Sequence, residues 1–344
     1  MTEIAKLSGN HLKWVVRRSR RSFAVQVVEP RNYDPAGHGG LFEQLLGSLI
    51  MPAVEAVDSH SARAGISGTR FDLLTFPEAF VPVDALLAVL PPIQQIGAIG
   101  CIHVGLRPTT DPHHHLFSAP QISALLTRLD SLADTVEEDL LSFRSWFARQ
   151  NAADYFNLGC LFTIDSKGRL RLCLHPKLVR SKFEYSALAE DHLEEADLVT
   201  LVTLLPDDPH FRSVTIQPLI CSDALNLATD RGTPPPIKAV SSGDNPIPEP
   251  PDHIDLVSVA TCTPQIVRRG NAGEKDVAEW HDAFRQSFRG AAEDGDQFRH
   301  HHATFILSNF ETIKSRTGGL SGLFQPIDLP KKYLHPAADL SCFG

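Results

Sequence analysis

No apolar run in this 344-residue chain approaches the roughly 18 residues that a membrane-spanning helix needs, so no membrane span and no membrane partner are expected. Basic charge is in deficit. Lys and Arg number 32 against 41 Asp and Glu, a net charge of −9, whereas a nucleic-acid partner calls for a basic footprint. The six cysteines (Cys101, Cys160, Cys173, Cys221, Cys262 and Cys342) include no CxxC pair, which excludes a tight disulfide framework. Scattered in this way they read as reduced thiols of a cytoplasmic protein, with room for one reactive cysteine. A Walker-type glycine loop is missing, so ATP use is not implied, and neither internal repeats nor long low-complexity tracts occur. A basic N-terminal segment, residues 1–22, ends in Ser19-Arg20-Arg21-Ser22 before Phe23 and so resembles the start of a twin-arginine export signal. The apolar stretch that follows stops at Glu29-Pro30-Arg31, too soon for an export h-region, and it reads instead as the approach to a first β-strand.

What the chain does have is material for a core: 42% of its residues are apolar and 21% charged. The length suits about two domains or one large α/β domain. Runs rich in β-branched and apolar residues predict strands over Phe23–Val28, Leu73–Phe76, Ile99–Gly105, Leu158–Ile164, Leu170–Leu174, Ser213–Ile220, Leu256–Ala260 and Thr304–Ser308. Leu158–Ile164 and Leu170–Leu174 flank Asp165-Ser166-Lys167-Gly168, a turn sequence that predicts a hairpin. Helical spacing appears over Leu41–Val57, over Ser118–Arg149 with an acidic face around Glu137-Glu138-Asp139, and over Glu274–Glu293. In that last segment Val277, Trp280, Phe284 and Phe288 form an apolar stripe, which suits either a homo-oligomer contact or a cover for the sheet within one chain. Alternating strands and helices predict an α/β fold. Residues 229–252, rich in Pro, Gly and Ser, read as a surface excursion with no helix or strand of its own.

Three residues stand out as chemistry-bearing. Cys221 follows an apolar strand and precedes Ser222-Asp223-Ala224, a strand-to-helix elbow that projects a thiol at the strand's carboxyl end. There the adjacent helix start favours thiolate, and the backbone N–H of Ser222 can face a developing oxyanion. Glu78, beside Pro77 and between Phe76 and Phe80, ends another strand with a carboxylate suited to take a thiol proton. Lys177 ends the second strand of the hairpin with a fixed positive charge. The two histidine triplets, His113-His114-His115 and His300-His301-His302, read as solvated loop and strand-entry positions, because contiguous imidazoles cannot all face one ion. No metal and no organic cofactor is expected.

Together these segments resemble the Glu–Lys–Cys catalytic set of the nitrilase (carbon–nitrogen hydrolase) superfamily. Leu74-Thr75-Phe76-Pro77-Glu78-Ala79-Phe80 is similar to that family's strand ending in Pro-Glu-Ala-Phe. Tyr155-Phe156-Asn157, with the Asp165–Gly168 hairpin leading to Lys177-Leu178 and Glu184 seven residues on, is similar to its lysine segment. Ile220-Cys221-Ser222-Asp223 is similar to its nucleophile segment, and Gly318-Gly319-Leu320-Ser321 to a late glycine–serine turn. The resemblance covers roughly residues 23–328 and implies a four-layer αββα sandwich with its last strands truncated. Insertions fall at 118–149 and 229–252, and a tail follows at 329–344. It implies a hydrolase for an amide or nitrile that works through a cysteine thioester. Glu78, Lys177 and Cys221 would be catalytic, with Glu184, Asn157 and the Ser222 N–H in support. The substrate would be a small molecule and the assembly a homodimer or larger. The insertions, and Ala224-Leu225-Asn226-Leu227 where many members differ, motivate an alternative: a non-catalytic or regulatory module of the same fold in a larger system such as a defence effector.

Overall fold

The computed structural model describes residues 6–18, 23–30, 71–96, 100–109, 115–132, 135–180, 193–227, 233–241, 245–262, 272–293, 299–309 and 321–325. The anticipated helix at 41–57, Glu184, His113, His114 and Cys342 lie outside these residues, as do residues 329–344.

In chain order the strands are β1 (Ser8–Val16), β2 (Val25–Val27), β3 (Leu73–Thr75), β4 (Val81–Pro82), β5 (Cys101–Arg107), β6 (Phe117–Ser118), β7 (Tyr155–Phe156), β8 (Leu158–Ile164) and β9 (Leu170–Pro176). They continue with β10 (Leu198–Pro206), β11 (Val214–Ile220), β12 (Leu256–Ala260), β13 (Thr304–Ser308) and β14 (Gly322–Phe324). Helices are α1 (Val83–Ile96), α2 (Ala119–Asp130), α3 (Leu141–Phe147), α4 (Pro236–Ala239) and α5 (Ala272–Glu293). The result is a mixed α/β architecture built on two six-stranded sheets. One has the order β1-β10-β11-β12-β13-β14, and the other β2-β3-β5-β8-β9 with β4 beside β5.

The two sheets face each other. Trp14, Val202, Ile216, Leu256 and Ile306 of the first share a buried cluster with Leu73, Cys101, Leu161 and Cys173 of the second. Polar side chains bridge the same gap. His103 Nδ1 lies 2.7 Å from Ser258 Oγ, and Ser308 Oγ donates to the Val28 carbonyl at 2.7 Å. Because strand residues alternate between faces, the next residues of β5, Ile102 and Val104, fall in a second buried cluster that contains Leu86 and Leu90 of α1 and Leu125 of α2. On the first sheet Phe288 of α5 stacks on Phe305 at 4.6 Å between ring centroids and meets Phe324 edge-on at 5.5 Å. Phe284 and Phe288 are therefore spent on covering the chain's own sheet; the Trp280 side chain is not among those described.

Three expectations are corrected. Segment 118–149 is not one helix. α2 stops at Asp130, Thr135 bridges to Leu170, and a 3-10 turn over Glu137–Leu140 leads into α3. The physical reason is Asp139, which turns inward instead of forming a solvated acidic face. Its carboxylate takes both Arg171 Nε (2.7 Å) and Arg171 Nη2 (2.5 Å), a fork that pins the segment to β9. The described part of 229–252 likewise holds the short α4, whose Ile237 and Ala239 are buried. Pro236 sits at the helix start, where its fixed φ and missing N–H cost nothing. His300, finally, is buried rather than solvated, with its ring nitrogens 2.9 Å from Ser241 Oγ and 2.7 Å from Gln217 Oε1.

Candidate active site

The site gathers at the carboxyl ends of β3, β5, β9, β11 and β12. After β3 the chain folds into the turn Phe76-Pro77-Glu78-Ala79-Phe80, which clamps onto β5. Phe76 N–H donates to the His103 carbonyl (2.8 Å), Gly105 N–H to the Pro77 carbonyl (3.1 Å) and Phe80 N–H to the Gly105 carbonyl (3.1 Å). The approach is so close that a Cβ on Gly105 would sit 2.3 Å from the Glu78 Cα and 2.6 Å from the Ala79 nitrogen. Only glycine admits this contact. Ala79 holds φ at +50°, a left-handed conformation that costs a non-glycine residue about 1 kcal/mol or more. The combined effect is to aim Glu78 inward, where it is buried.

Three donors converge on the Glu78 carboxylate. Lys177 Nζ approaches Oε1 at 2.9 Å, Asn157 Nδ2 donates to Oε1 at 2.7 Å, and Cys262 N–H donates to Oε2 at 2.9 Å. The Lys177 and Glu78 side chains are 1% and 6% exposed, so this is a buried ion pair. Its extra N–H donors offset part of the desolvation that makes such pairs costly. Lys177 N–H in turn donates to the Asn157 carbonyl at 2.8 Å, which locks the lysine segment to the asparagine.

Cys221 opens a 3-10 turn over Cys221–Ala224 directly after β11, with φ at +45° and 5% of its surface exposed. That left-handed thiol residue is the second backbone outlier of the site. Asp223 ties its turn to the lysine segment. One carboxylate oxygen accepts both Leu178 N–H and Val179 N–H at 2.8 Å, and the other accepts Ile220 N–H at 3.2 Å. Ser222 Oγ adds a 2.5 Å bond to the Val179 carbonyl. Burial pushes the Asp223 carboxyl up to about 7, against the opposing pull of the Lys177 charge and the three N–H donors. Of the residues expected from sequence, the structure thus joins Glu78, Lys177 and Asn157 directly, and it fastens the Cys221-Ser222 turn to the residues just after Lys177.

Residues not anticipated include Gly105, which makes room for the Glu78 turn, and Cys262, whose backbone holds the second carboxylate oxygen. Behind them His103 Nε2 lies 3.1 Å from His175 Nε2, two positions before Lys177, and Ser258 completes the row. Burial drives His103 down to about 3 and His175 well below its ordinary value, so this is a neutral pair that shares one N–H between the rings. The sequence carried one hint of it, His175-Pro176 ahead of the lysine. Cys101, Cys160 and Cys173 are buried with thiols raised well above the ordinary range by desolvation, which leaves them inert. Among the described residues no three His, Cys, Asp or Glu side chains come together as a metal-binding group, and no helix is long and apolar enough to cross a membrane.

No protein-family model matches the chain, and no curated protein matches it. Solved structures of N-terminal amidases are similar to it. One, with an Asn-Glu-Ala peptide, aligns over 89% of this chain and 91% of its own at 10% identity and a TM-score of 0.41. Another, with a Gln-Val peptide, aligns over 77% of this chain and 53% of its own at 10% identity and a TM-score of 0.34. A third N-terminal amidase structure aligns over 80% of this chain and 53% of its own at 10% identity and a TM-score of 0.30.

Proposed function

We propose that the protein is an enzyme, a hydrolase of non-peptide carbon–nitrogen bonds in an amide or nitrile, with its helices and two sheets arranged as an αββα sandwich of the nitrilase type. The observation that carries this reading is the buried Lys177–Glu78 pair, 2.9 Å apart, with the Cys221 turn tethered to the same segment through Asp223. Glu78 takes the thiol proton, and Cys221 Sγ attacks the electrophilic carbon to form a tetrahedral adduct. Lys177 and the Ser222 N–H stabilise its oxygen, each such donor contributing about 3–4 kcal/mol. Glu78 returns the proton to the departing nitrogen, leaving a thioester, and then activates water to release the acid. Asn157 orients the carboxylate, and Glu184 is assigned a supporting role from its place in the sequence. The similar N-terminal amidases make an amide the first substrate class to test.

The test is acyl-enzyme trapping. Incubation with a panel of amides and nitriles, acid quench and intact mass spectrometry should show an acyl adduct that maps to Cys221 and is absent in Cys221→Ala. Turnover of any panel member by Cys221→Ala at the wild-type rate would overturn the mechanism.

A further inference from the structure

Arg107 closes β5 with a guanidinium that is 2% exposed. Its Nε and Nη2 find no hydrogen-bond partner, and among the described residues no carboxylate pairs with it. A buried guanidinium stays ionised and is costly when unpaired, so its place in a packed strand needs a counter-charge. Its position says where that charge comes from. Residues two apart on a strand share a face, so Arg107 lies on the face of His103 and Gly105, the glycine on which Glu78 rests. It stands one strand step, about 7 Å, beyond that glycine. β4, the continuation of the Glu78 turn, runs beside it with Pro82 paired to Arg107. A second orphan lies nearer the ion pair: Asn157 Oδ1, buried without a donor while its Nδ2 serves Glu78. The site therefore offers an unfilled acceptor beside the reacting groups and unfilled cationic donors a few ångströms along the strand.

We propose that Arg107 binds a carboxylate of the substrate, and that the amide cleaved is a short-chain acid amide carrying that carboxylate at its far end. This rests on the hydrolase reading above. The fork of Nε and Nη2 matches a carboxylate in two parallel N–H···O bonds. Asn157 Oδ1 accepts an N–H of the amide, and the backbone of the substrate spans the interval between the two.

The experiment compares the monoamides of succinate, glutarate and adipate with propionamide, butyramide and valeramide, which lack the carboxylate. The wild type is expected to favour its best monoamide over the matching neutral amide by about 100-fold or more in kcat/KM, the size expected when a buried charge loses its partner. In Arg107→Met that ratio should collapse towards one, and in Arg107→Lys, which keeps the charge without the fork, it should fall by about tenfold. Equal ratios in wild type and Arg107→Met would overturn the proposal while leaving the hydrolase intact. Should no amide turn over at all, thermal shift decides: glutarate and glutaramate must raise the Tm of the wild type and not of Arg107→Met. Absence of that difference would sink the anion subsite on its own. If Arg107→Met does not fold, Arg107→Lys carries the same two readouts.

Discussion

Replacing Glu78 by glutamine tests the charge pair at the centre of the site. The carboxylate now takes three donors, from Lys177 at 2.9 Å, Asn157 at 2.7 Å and Cys262 at 2.9 Å. An amide of the same shape has one acceptor oxygen. If that oxygen keeps Lys177 and Asn157, the new NH2 faces the Cys262 N–H, donor against donor. The substitution therefore strands a backbone N–H at about 1–3 kcal/mol, and it takes the Glu78 charge away from a lysine of 1% side-chain exposure. Breaking a buried pair from one side costs about 3–5 kcal/mol, and the larger of the two effects sets the expectation. Lys177→Met removes the other charge but leaves the carboxylate two N–H donors, so its cost should be smaller. Urea unfolding of wild type, Glu78→Gln, Lys177→Met and the double variant gives the coupling energy directly, expected at about 2–3 kcal/mol. A loss under about 1 kcal/mol for Glu78→Gln with coupling near zero would mean that water screens the pair, and the account of a dry, preorganised site would be wrong.

Gly105→Ala drives a Cβ to 2.3 Å from the Glu78 Cα, a backbone atom that cannot swing aside. It should cost at least about 1–3 kcal/mol and depress turnover, and a fully stable, active variant would refute the clamp. Asp223 has a folded-state value of about 7 against an ordinary 3.8, so the folded state binds more protons between those values. Its contribution is present at low pH and is lost as pH rises towards neutrality, so Tm of the wild type relative to Asp223→Asn should fall from about pH 4 to about pH 7 and flatten above. Asp139→Ala removes the fork to Arg171 and should destabilise by about 3 kcal/mol in urea melts, loosening the 3-10 turn from β9. Iodoacetamide at neutral pH should leave Cys101, Cys160 and Cys173 unlabelled in the folded protein, as peptide mapping can show.

Sequence pattern reached the strands that carry the site because those strands are short, apolar and bounded by turn formers. Leu158–Ile164, Leu256–Ala260 and Thr304–Ser308 appear with the bounds their composition suggests. β10 is as legible in Leu198–Pro206, apolar and β-branched almost throughout, yet it falls outside the runs singled out. β1 is obscured by His11 and Lys13 in an otherwise strand-like run, and α1 by Pro91 and Pro92 in its interior. What composition could not convey was the destination of charged side chains. Asp139 looks solvated within Glu137-Glu138-Asp139, and Arg107 looks like a polar strand end. Both are buried because a partner strand, distant in sequence, arrives beside them. The pairing of Glu78 with Lys177 is legible in the order of motifs; the roles of Gly105 and the Asp223 tether arise only in the folded chain, since they lie in distances to backbone atoms far away in sequence.

The distribution of cost across the molecule bears on whether this site is used. Among the described residues two left-handed non-glycine residues, Ala79 and Cys221, belong to turns at the carboxyl ends of β3 and β11, one strand from each sheet. A buried ion pair, a buried Asp223 and an unpaired buried Arg107 sit among the same strand ends. Each is unfavourable by about 1 kcal/mol or several, and each would be relieved by a common substitution: glycine at the left-handed positions, apolar side chains at the charges. Elsewhere the described core is mostly apolar between and outside the sheets, with buried polar groups such as Asp139 matched by the Arg171 fork and His300 by Ser241 and Gln217. A scaffold kept only for binding through its outer surfaces has no need to hold strain and charge at this one place. Local rules are broken together where a site does work that the fold itself does not require. That clustering is the pattern of a working site, and the response of Arg107→Met shows whether the Arg107 charge takes part in it, since relief of an unused charge would raise Tm and leave no ligand effect behind.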